Sequence, residues 1–134
     1  MASIFTRIIE GEIPCHKLYE DEHTIAILDI NPVAPGHCLV IAKAEQPTVE
    51  DLSAAQWAAV METARKVGAA VKAGLGAGAY NLLVNNGKLA GQEVPHLHVH
   101  IIPRHEGDGV RFGWKPRALS EPAATVEAIR RALG

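Results

Sequence analysis

Residues His96–Ile102 read HLHVHII, a strict alternation of imidazole and aliphatic side chains that closes on two isoleucines. Side chains of a β-strand alternate between its two faces, so His96, His98 and His100 are predicted to share one face. The aliphatic residues between them are predicted to pack against the core on the other face. Successive histidines on such a strand stand about 6.6 Å apart.

Three roles are compatible with this row of imidazoles. Two or three of them can bind a metal ion, since His-x-His on a strand is a ligand spacing found for zinc, and Glu93 and His37 are candidate further ligands. The row can be a hydrogen-bonded polar strip without chemistry. One imidazole can be a nucleophile that its neighbours orient and polarise.

The polar loop before the strand favours the third role. Residues Asn85–Glu93 read NNGKLAGQE and combine amide side chains with glycine-flanked turns. Such turns leave backbone N–H groups free, and groups of this kind bind anions such as phosphate. Neutral imidazole carries one bare lone pair near pH 7, so it can attack phosphorus without a separate base.

Length and composition bound the remaining possibilities. A chain of 134 residues fits one domain, and a net charge of -2 gives no sign of a nucleic-acid or membrane partner. Cys15 and Cys38 show no CxxC spacing and are interpreted as reduced thiols. No signal peptide or apolar run of about 18 residues is visible. The sequence therefore predicts a cytoplasmic protein.

Periodicity predicts an α+β fold with a largely antiparallel sheet. Ser3 is predicted to cap a short helix through Ile9, and Ser53, with Gln56 completing a capping box, to start the longest helix, which ends at Gly74 and Gly76. Its apolar stripe is interpreted as a core face rather than a ligand surface. The other predicted elements are strands at Lys17–Glu20, Thr24–Ile30, His37–Ala42, Ala79–Asn85 and His96–Ile102, an irregular stretch at Arg104–Leu119, and a helix at Ser120–Leu133.

The chain resembles the histidine triad (HIT) superfamily, whose signature is His-φ-His-φ-His-φ-φ with φ apolar. His96–Ile102 matches that signature at every position, and the chain looks most like the Hint and bacterial HIT-like group. Further blocks resemble the family in order along the sequence: Ile4-Phe5, Ile8-Ile9, Gly11–Pro14, Tyr19–Asp21, Leu28–Pro32, Ala34–His37, Leu39–Ile41 and Gly91-Gln92.

The resemblance implies a single HIT domain over residues 1–134. It also implies a five-stranded, mainly antiparallel sheet with one long helix and one or two shorter ones. The sheets of two subunits would join in a homodimer. Trp114 would then either reach the partner's site or pack locally.

The resemblance also implies roles for the histidines. His98 falls on the family's nucleophile, which forms a covalent nucleotidyl-histidine that water later hydrolyses. His96 and His100 would hydrogen-bond around the phosphate and the leaving group. His37 matches a fourth histidine that supports the triad across the pocket.

Further positions match the family's nucleotide-binding residues. Asp29 would accept hydrogen bonds from the ribose hydroxyls, and Asn85 and Gln92 would lie beside the phosphate with the backbone N–H groups of Glu93 and Val94. Apolar residues would enclose the base, and these are Ile8, Leu28 and Ile30.

Two departures from the family bear on chemistry. Many bacterial relatives bind structural zinc through a Cys-x-x-Cys and a histidine, where this chain has Ser3, Thr6 and Glu45. Hydroxyls and one carboxylate are poor substitutes for thiolates, so no zinc and no other cofactor is predicted. Glu93 stands where relatives often have Ser or Thr, and an ionised carboxylate cannot donate a hydrogen bond. Its charge could instead favour a cationic amine leaving group.

The expected function is hydrolysis or transfer at the α-phosphate of nucleoside 5′-phosphoramidates, with a purine nucleotide as the small-molecule ligand. Two alternatives are a dinucleoside polyphosphate hydrolase, which shares the same intermediate, and a nucleotide-binding module with little turnover. A metalloenzyme on the histidine strand is a further alternative, and metal analysis would test it.

Overall fold

A computed structural model describes residues 2–134. One five-stranded antiparallel sheet organises the chain, in the order β1-β2-β3-β5-β4. Its strands are β1 (Lys17–Glu20), β2 (Thr24–Leu28), β3 (Cys38–Ala42), β4 (Ala79–Leu83) and β5 (His98–Arg104). The helices are α1 (Ile4–Ile9), α2 (Ala54–Leu75) and α3 (Pro122–Leu133), with single 3-10 turns at Val49–Asp51 and Lys88–Ala90. The α+β fold and the largely antiparallel sheet are confirmed.

The long helix α2 begins and ends where the sequence predicts. Ser53 caps it by accepting a hydrogen bond from the Gln56 N–H, and the Gln56 side chain completes the capping box. Gly76 adopts a left-handed conformation with φ of 63° at the C-terminal end, while Gly74 lies within the last turn. Residues without Cβ adopt that conformation at little cost, so Gly76 stops the helix.

The apolar stripe of α2 covers one face of the sheet and forms the main core, as predicted. Val60, Ala64, Val67 and Val71 are buried on the helix. They join the same cluster as Val40, Val99 and Ile101 of the sheet and Leu97, which directly precedes β5. The aliphatic positions between the histidines therefore face α2, which turns the imidazoles of β5 toward the opposite face.

The opposite face of the sheet is only partly covered. Phe5 of α1 packs there with Ile25, Ile27, Leu39 and Ile41. In the antiparallel register of β3 and β5, Leu39 pairs with His100 and Ile41 pairs with His98. Because α1 is short, it covers the sheet near His98 and leaves an opening beyond it.

The predicted histidine strand is wrong at both ends. β5 begins at His98, so His96 and Leu97 precede it, and it runs through Pro103 to Arg104. Pro103 is tolerated because the pairing with β3 stops at Ile101, which leaves β4 as the only neighbour of the strand's last residues. The predicted strand ends of β2, β3 and β4 are too long by one or two residues, and α3 starts at Pro122 rather than Ser120.

The C-terminal segment differs from the rest of the chain. No side chain of α3 is buried, and Val126, Ile129 and Leu133 are exposed. Trp114 is 87% exposed, so it does not pack locally. Among residues 2–134, none of the helices is both long and apolar enough to cross a membrane.

Candidate active site

A cavity of about 770 Å³ opens on the face of the sheet opposite α2. Ten of the predicted nucleotide-site and triad positions line it together. They come from α1, from the ends of β2 and β3, from the loop between β4 and β5, and from β5 itself. These residues are Ile8, Leu28, Asp29, Ile30, His37, Asn85, Glu93, Val94, His98 and His100.

His98 is held with one defined ring nitrogen toward the cavity. Its Nδ1 lies 2.7 Å from the backbone oxygen of His96. A carbonyl oxygen only accepts, so Nδ1 carries the proton and the neutral ring keeps its lone pair on Nε2. No side chain or backbone group in the described chain forms a hydrogen bond with that Nε2. The backbone carbonyl of His96 therefore fixes the tautomer of His98.

A second chain of hydrogen bonds fixes His100. The Val33 N–H donates to Nδ1 of His37 at 3.1 Å. The proton of a neutral His37 ring then sits on Nε2, which lies 2.9 Å from Nδ1 of His100 and 3.4 Å from Oδ2 of Asp29. If His37 donates to Nδ1 of His100, the single N–H of a neutral His100 ring is on Nε2, where it can be donated to a ligand.

Burial keeps these imidazoles neutral near pH 7. Loss of hydration lowers the pKa of His98 and of His37, and Asp29 partly opposes the shift at His37. Burial, followed by the neighbouring His98 and His37, lowers the pKa of His100 to about 4. A neutral imidazole is the nucleophilic form, so these shifts favour attack by His98.

His96 and Gln92 do not line the cavity, although the resemblance to the HIT superfamily assigns both to the phosphate site. Nε2 of His96 lies 2.6 Å from the Ala42 oxygen and Nδ1 lies 2.6 Å from Oγ of Ser3. The Gln92 side chain donates to the Pro47 oxygen and accepts from the Gly87 N–H. The His96 ring stays on the α1 side of the sheet, where Ser3 and Phe5 cover it. Gln92 braces the loop that carries Gly87.

Sequence reasoning missed parts of the cavity wall. The ring of Phe5 packs edge-on against that of His98, with centroids 4.8 Å apart. Residues 13–15 and 108–112 also line the cavity. The helical prediction for residues 4–9 placed Phe5 in α1, but nothing in the sequence gave the direction of its side chain. The segment after Arg104 has no periodicity that could locate it.

One group of residues has the ligand types that a metal ion needs. One atom each from Asp29, His37 and His100 lies within 4.8 Å of the others. The hydrogen bonds already described use the facing nitrogens of His37 and His100 against each other. His37 Nε2 and His100 Nδ1 are therefore already bonded to each other.

Comparison with known proteins identifies the family. The model of the HIT domain matches residues 10–107. This chain belongs to the HIT family. The Hint and bacterial HIT-like branch predicted from the sequence is confirmed by relatives.

Two curated relatives and one solved structure define the neighbourhood within the HIT family. "Adenylylsulfatase HINT3" of Arabidopsis thaliana is 40% identical over 97% of this chain and 68% of its own length. "Adenosine 5'-monophosphoramidase hnt1" of Schizosaccharomyces pombe is 40% identical over 90% of this chain and 88% of its own. The crystal structure of SMU.412c from Streptococcus mutans UA159 superimposes with a TM-score of 0.93 at 31% identity, over 98% of this chain and 85% of that one.

Proposed function

We propose that this HIT protein hydrolyses nucleotides at the α-phosphorus, with nucleoside 5′-phosphoramidates of purines as its substrate class. The observation that carries the proposal is the free Nε2 of His98 at the cavity, with its Nδ1 bonded to a backbone carbonyl at 2.7 Å. The names of the two curated relatives, an adenylylsulfatase and an adenosine 5′-monophosphoramidase, support hydrolysis of an adenylyl group.

The proposed reaction has two displacements. Nε2 of His98 attacks the α-phosphorus, the P–N bond breaks, and the amine leaves with a proton. Water then attacks the phosphorus of the nucleotidyl-histidine, the P–N bond to His98 breaks, and the nucleoside monophosphate is released. Splitting one difficult displacement into two easier ones is the general advantage of a covalent intermediate.

His100, held in place by His37, acts on the phosphate and the leaving group in this proposal. The Nε2–H of His100 faces the cavity when His37 donates to His100 Nδ1 at 2.9 Å. It can donate to a phosphate oxygen or pass a proton to the amine as the P–N bond breaks. A preorganised donor of this kind contributes typically about 10² to 10³ in rate.

Asp29 binds the ribose and the apolar wall binds the base. The Asn31 N–H donates to Oδ1 of Asp29 at 2.8 Å, which fixes the carboxylate at the end of β2. A fixed carboxylate can accept hydrogen bonds from two vicinal hydroxyls, which selects a ribonucleoside. Ile8 and Ile30 line the cavity and would cover the base. Leu28 borders the cavity as well, but it packs with the core cluster on the α2 side of the sheet.

A kinetic comparison tests the substrate class. The rates of hydrolysis of adenosine 5′-phosphoramidate and of a diadenosine polyphosphate are measured on the wild-type protein and on His98→Ala. We expect the phosphoramidate to have the higher kcat/KM and both activities to fall by about 10⁴-fold or more in the variant. Faster cleavage of the polyphosphate would favour the Fhit-like alternative. Binding without turnover of either would favour a nucleotide-binding module.

We also propose that two copies associate through β4, one of the two edge strands of the sheet. β4 has one neighbour, β5, so its other edge presents unpaired backbone groups. The apolar side chains of α3 are likewise without cover in the described chain. Sedimentation of the wild-type protein should give a dimer, and Leu82→Asp on β4 should shift it toward a monomer. A monomeric wild type would contradict the proposal.

A further inference from the structure

A cluster of four polar side chains joins the start of α1 to His96. The Ser3 N–H and the Thr6 hydroxyl donate to the same oxygen of Glu45, at 2.6 Å and 2.7 Å. Oγ of Ser3 accepts from the Thr6 N–H at 3.1 Å and lies 2.6 Å from Nδ1 of His96. We call Ser3, Thr6, Glu45 and His96 the junction cluster.

The shortest contacts in the junction cluster assign one acceptor to each proton, although Thr6 Oγ1 also lies 3.4 Å from Ser3 Oγ and 3.5 Å from His96 Nδ1. His96 is fully buried, and its Nε2 lies 2.6 Å from the carbonyl oxygen of Ala42, so Nε2 carries the ring proton. Nδ1 is then an acceptor and the Ser3 hydroxyl donates to it. The hydrogen bonds from Ser3 and Thr6 hold the pKa of Glu45 below its usual value, so this carboxylate accepts and never competes as a donor.

The junction cluster does not fit a zinc ion. Neutral hydroxyls are weak ligands for zinc, which prefers thiolate and imidazole. The contact of 2.6 Å between Ser3 Oγ and His96 Nδ1 already uses the lone pair that a metal would need. The four residues are instead a complete hydrogen-bonded set.

The junction cluster sits directly behind the nucleophile. The backbone oxygen of His96 accepts from Nδ1 of His98 at 2.7 Å. Both backbone polar groups of the next residue, Leu97, are hydrogen-bonded. The Leu97 N–H donates to the Gln46 oxygen at 2.7 Å, and the Leu97 oxygen accepts from the Ala42 N–H at 3.2 Å. Phe5, in the first turn of α1, presents its ring edge-on to both His96 and His98.

We propose that Ser3, Thr6 and Glu45 are positioning residues that fix His96 and, through its carbonyl, the tautomer and orientation of the His98 ring. A hydrogen bond to Nδ1 is what leaves Nε2 bare, so a displaced His96 carbonyl would reduce the reactive form of His98. The kinetic part of this inference rests on the proposed function, and the structural part does not.

Ser3→Ala tests the inference with Ser53→Ala as its matched control. Both serines accept a helix-capping hydrogen bond at 3.1 Å. Only Ser3 contacts a histidine, whereas Ser53 caps α2. We expect Ser3→Ala to lower kcat about tenfold or more with KM within about twofold of the wild type. Ser53→Ala should leave both parameters unchanged, and Ser3→Thr, which keeps the hydroxyl, should restore kcat.

Nitrogen-15 NMR of the imidazole rings gives a readout that needs no substrate. In the wild type, His98 should show a protonated Nδ1 and a bare Nε2. Ser3→Ala should move the His98 nitrogen shifts toward a mixture of tautomers, and Ser53→Ala should not. Glu45→Ala, at an exposed position, should change the His98 nitrogen shifts in the same direction by a smaller amount. This variant replaces Ser3→Ala in the test if Ser3→Ala does not fold.

The outcomes separate the two proposals. If the His98 nitrogen chemical shifts of Ser3→Ala and of Glu45→Ala both equal those of the wild type, the positioning role is overturned, whatever the activity. Shifted nitrogens in a protein that turns over no nucleotide would support the junction cluster and contradict only the proposed function. An equal fall of kcat in Ser3→Ala and Ser53→Ala would reduce Ser3 to a helix cap and contradict the inference.

Discussion

His96 and His98 stand two residues apart in one alternating segment, yet they occupy different environments. Both ring nitrogens of His96 are bonded to protein groups, and the ring is fully buried. His98 has one nitrogen bonded to a backbone oxygen and turns the other to a cavity. The difference arises because Ser3 and Phe5, at the start of α1, cover His96, which lies in the connection just before β5.

This comparison shows that an imidazole's role follows from which of its nitrogens is left unbonded. His96 has the hydrogen bonds of a structural residue, and its carbonyl in turn defines the tautomer of His98. His100 resembles His98, since His37 occupies its Nδ1. Mutations that separate the cavity pair, His98 and His100, from His96 therefore test the comparison directly.

The largest effect on the cavity side short of removing His98 is expected for His100→Ala. Loss of the Nε2–H that faces the cavity should lower kcat by about 10² to 10⁴-fold, as for other acid–base groups. The measurement is steady-state hydrolysis of adenosine 5′-phosphoramidate. His23→Ala, at an exposed histidine outside the cavity, is the control. Activity of His100→Ala within a factor of two of the control would remove His100 from the proposed site.

On the His96 side, the expected effect is on folding. His96→Ala leaves the Ala42 oxygen and the Ser3 hydroxyl without their partner, and an unsatisfied buried group costs about 1–3 kcal/mol. Urea unfolding should therefore give a free energy of unfolding lower by that amount than for His23→Ala. A variant as stable as the control would show that the bonds of His96 contribute little.

The pH dependence of stability should come from the cavity histidines. Their pKa values are lowered in the folded protein, to about 4 for His100, so the unfolded chain binds more protons below its ordinary histidine pKa of 6.5. Stability should be complete above pH 6.5 and fall as the pH drops toward 4. Thermal unfolding between these values should show a weaker dependence in His100→Gln. An unchanged slope in that variant would contradict the assignment.

The smallest effect is expected at the cavity rim. Glu93 lines the cavity and is exposed. If its charge favours a cationic amine, Glu93→Gln should lower kcat/KM for a lysyl phosphoramidate by about 2–5-fold relative to a neutral-amine substrate, a typical size for an exposed charge pair. Equal effects on the two substrates would rule out this role.

The sequence predicts the histidine face well and its boundary poorly. Alternation correctly placed Leu97, Val99 and Ile101 against α2, because a burial pattern with period two has one solution in a strand. It could not show that the strand starts at His98, since that depends on pairing with Ile41 on β3. It also could not show that the start of α1 covers His96, because the bond from Ser3 to the His96 ring joins residues far apart in the sequence.

Elsewhere in the chain, too, contacts within one helical turn could be predicted from the sequence and long-range contacts could not. Ser53 and Gln56 were predictable as a capping box because both partners lie within one turn of α2. The bond between the Gln92 side chain and the Pro47 oxygen joins residues 45 positions apart, and no local pattern encodes it. The resemblance to the HIT family supplied the residues of the site. The hydrogen bonds indicate which ring nitrogen of each histidine carries the proton.

Capture of the covalent intermediate tests the central claim most directly. The wild-type protein is mixed with adenosine 5′-phosphoramidate, quenched within the first turnovers, digested and analysed by mass spectrometry. An adenylyl group on the peptide that carries His98, absent from His98→Ala and still formed in His96→Ala, is the predicted result. A protein that releases adenosine monophosphate with no modified histidine at any quench time, or with the group on another residue, would contradict the account.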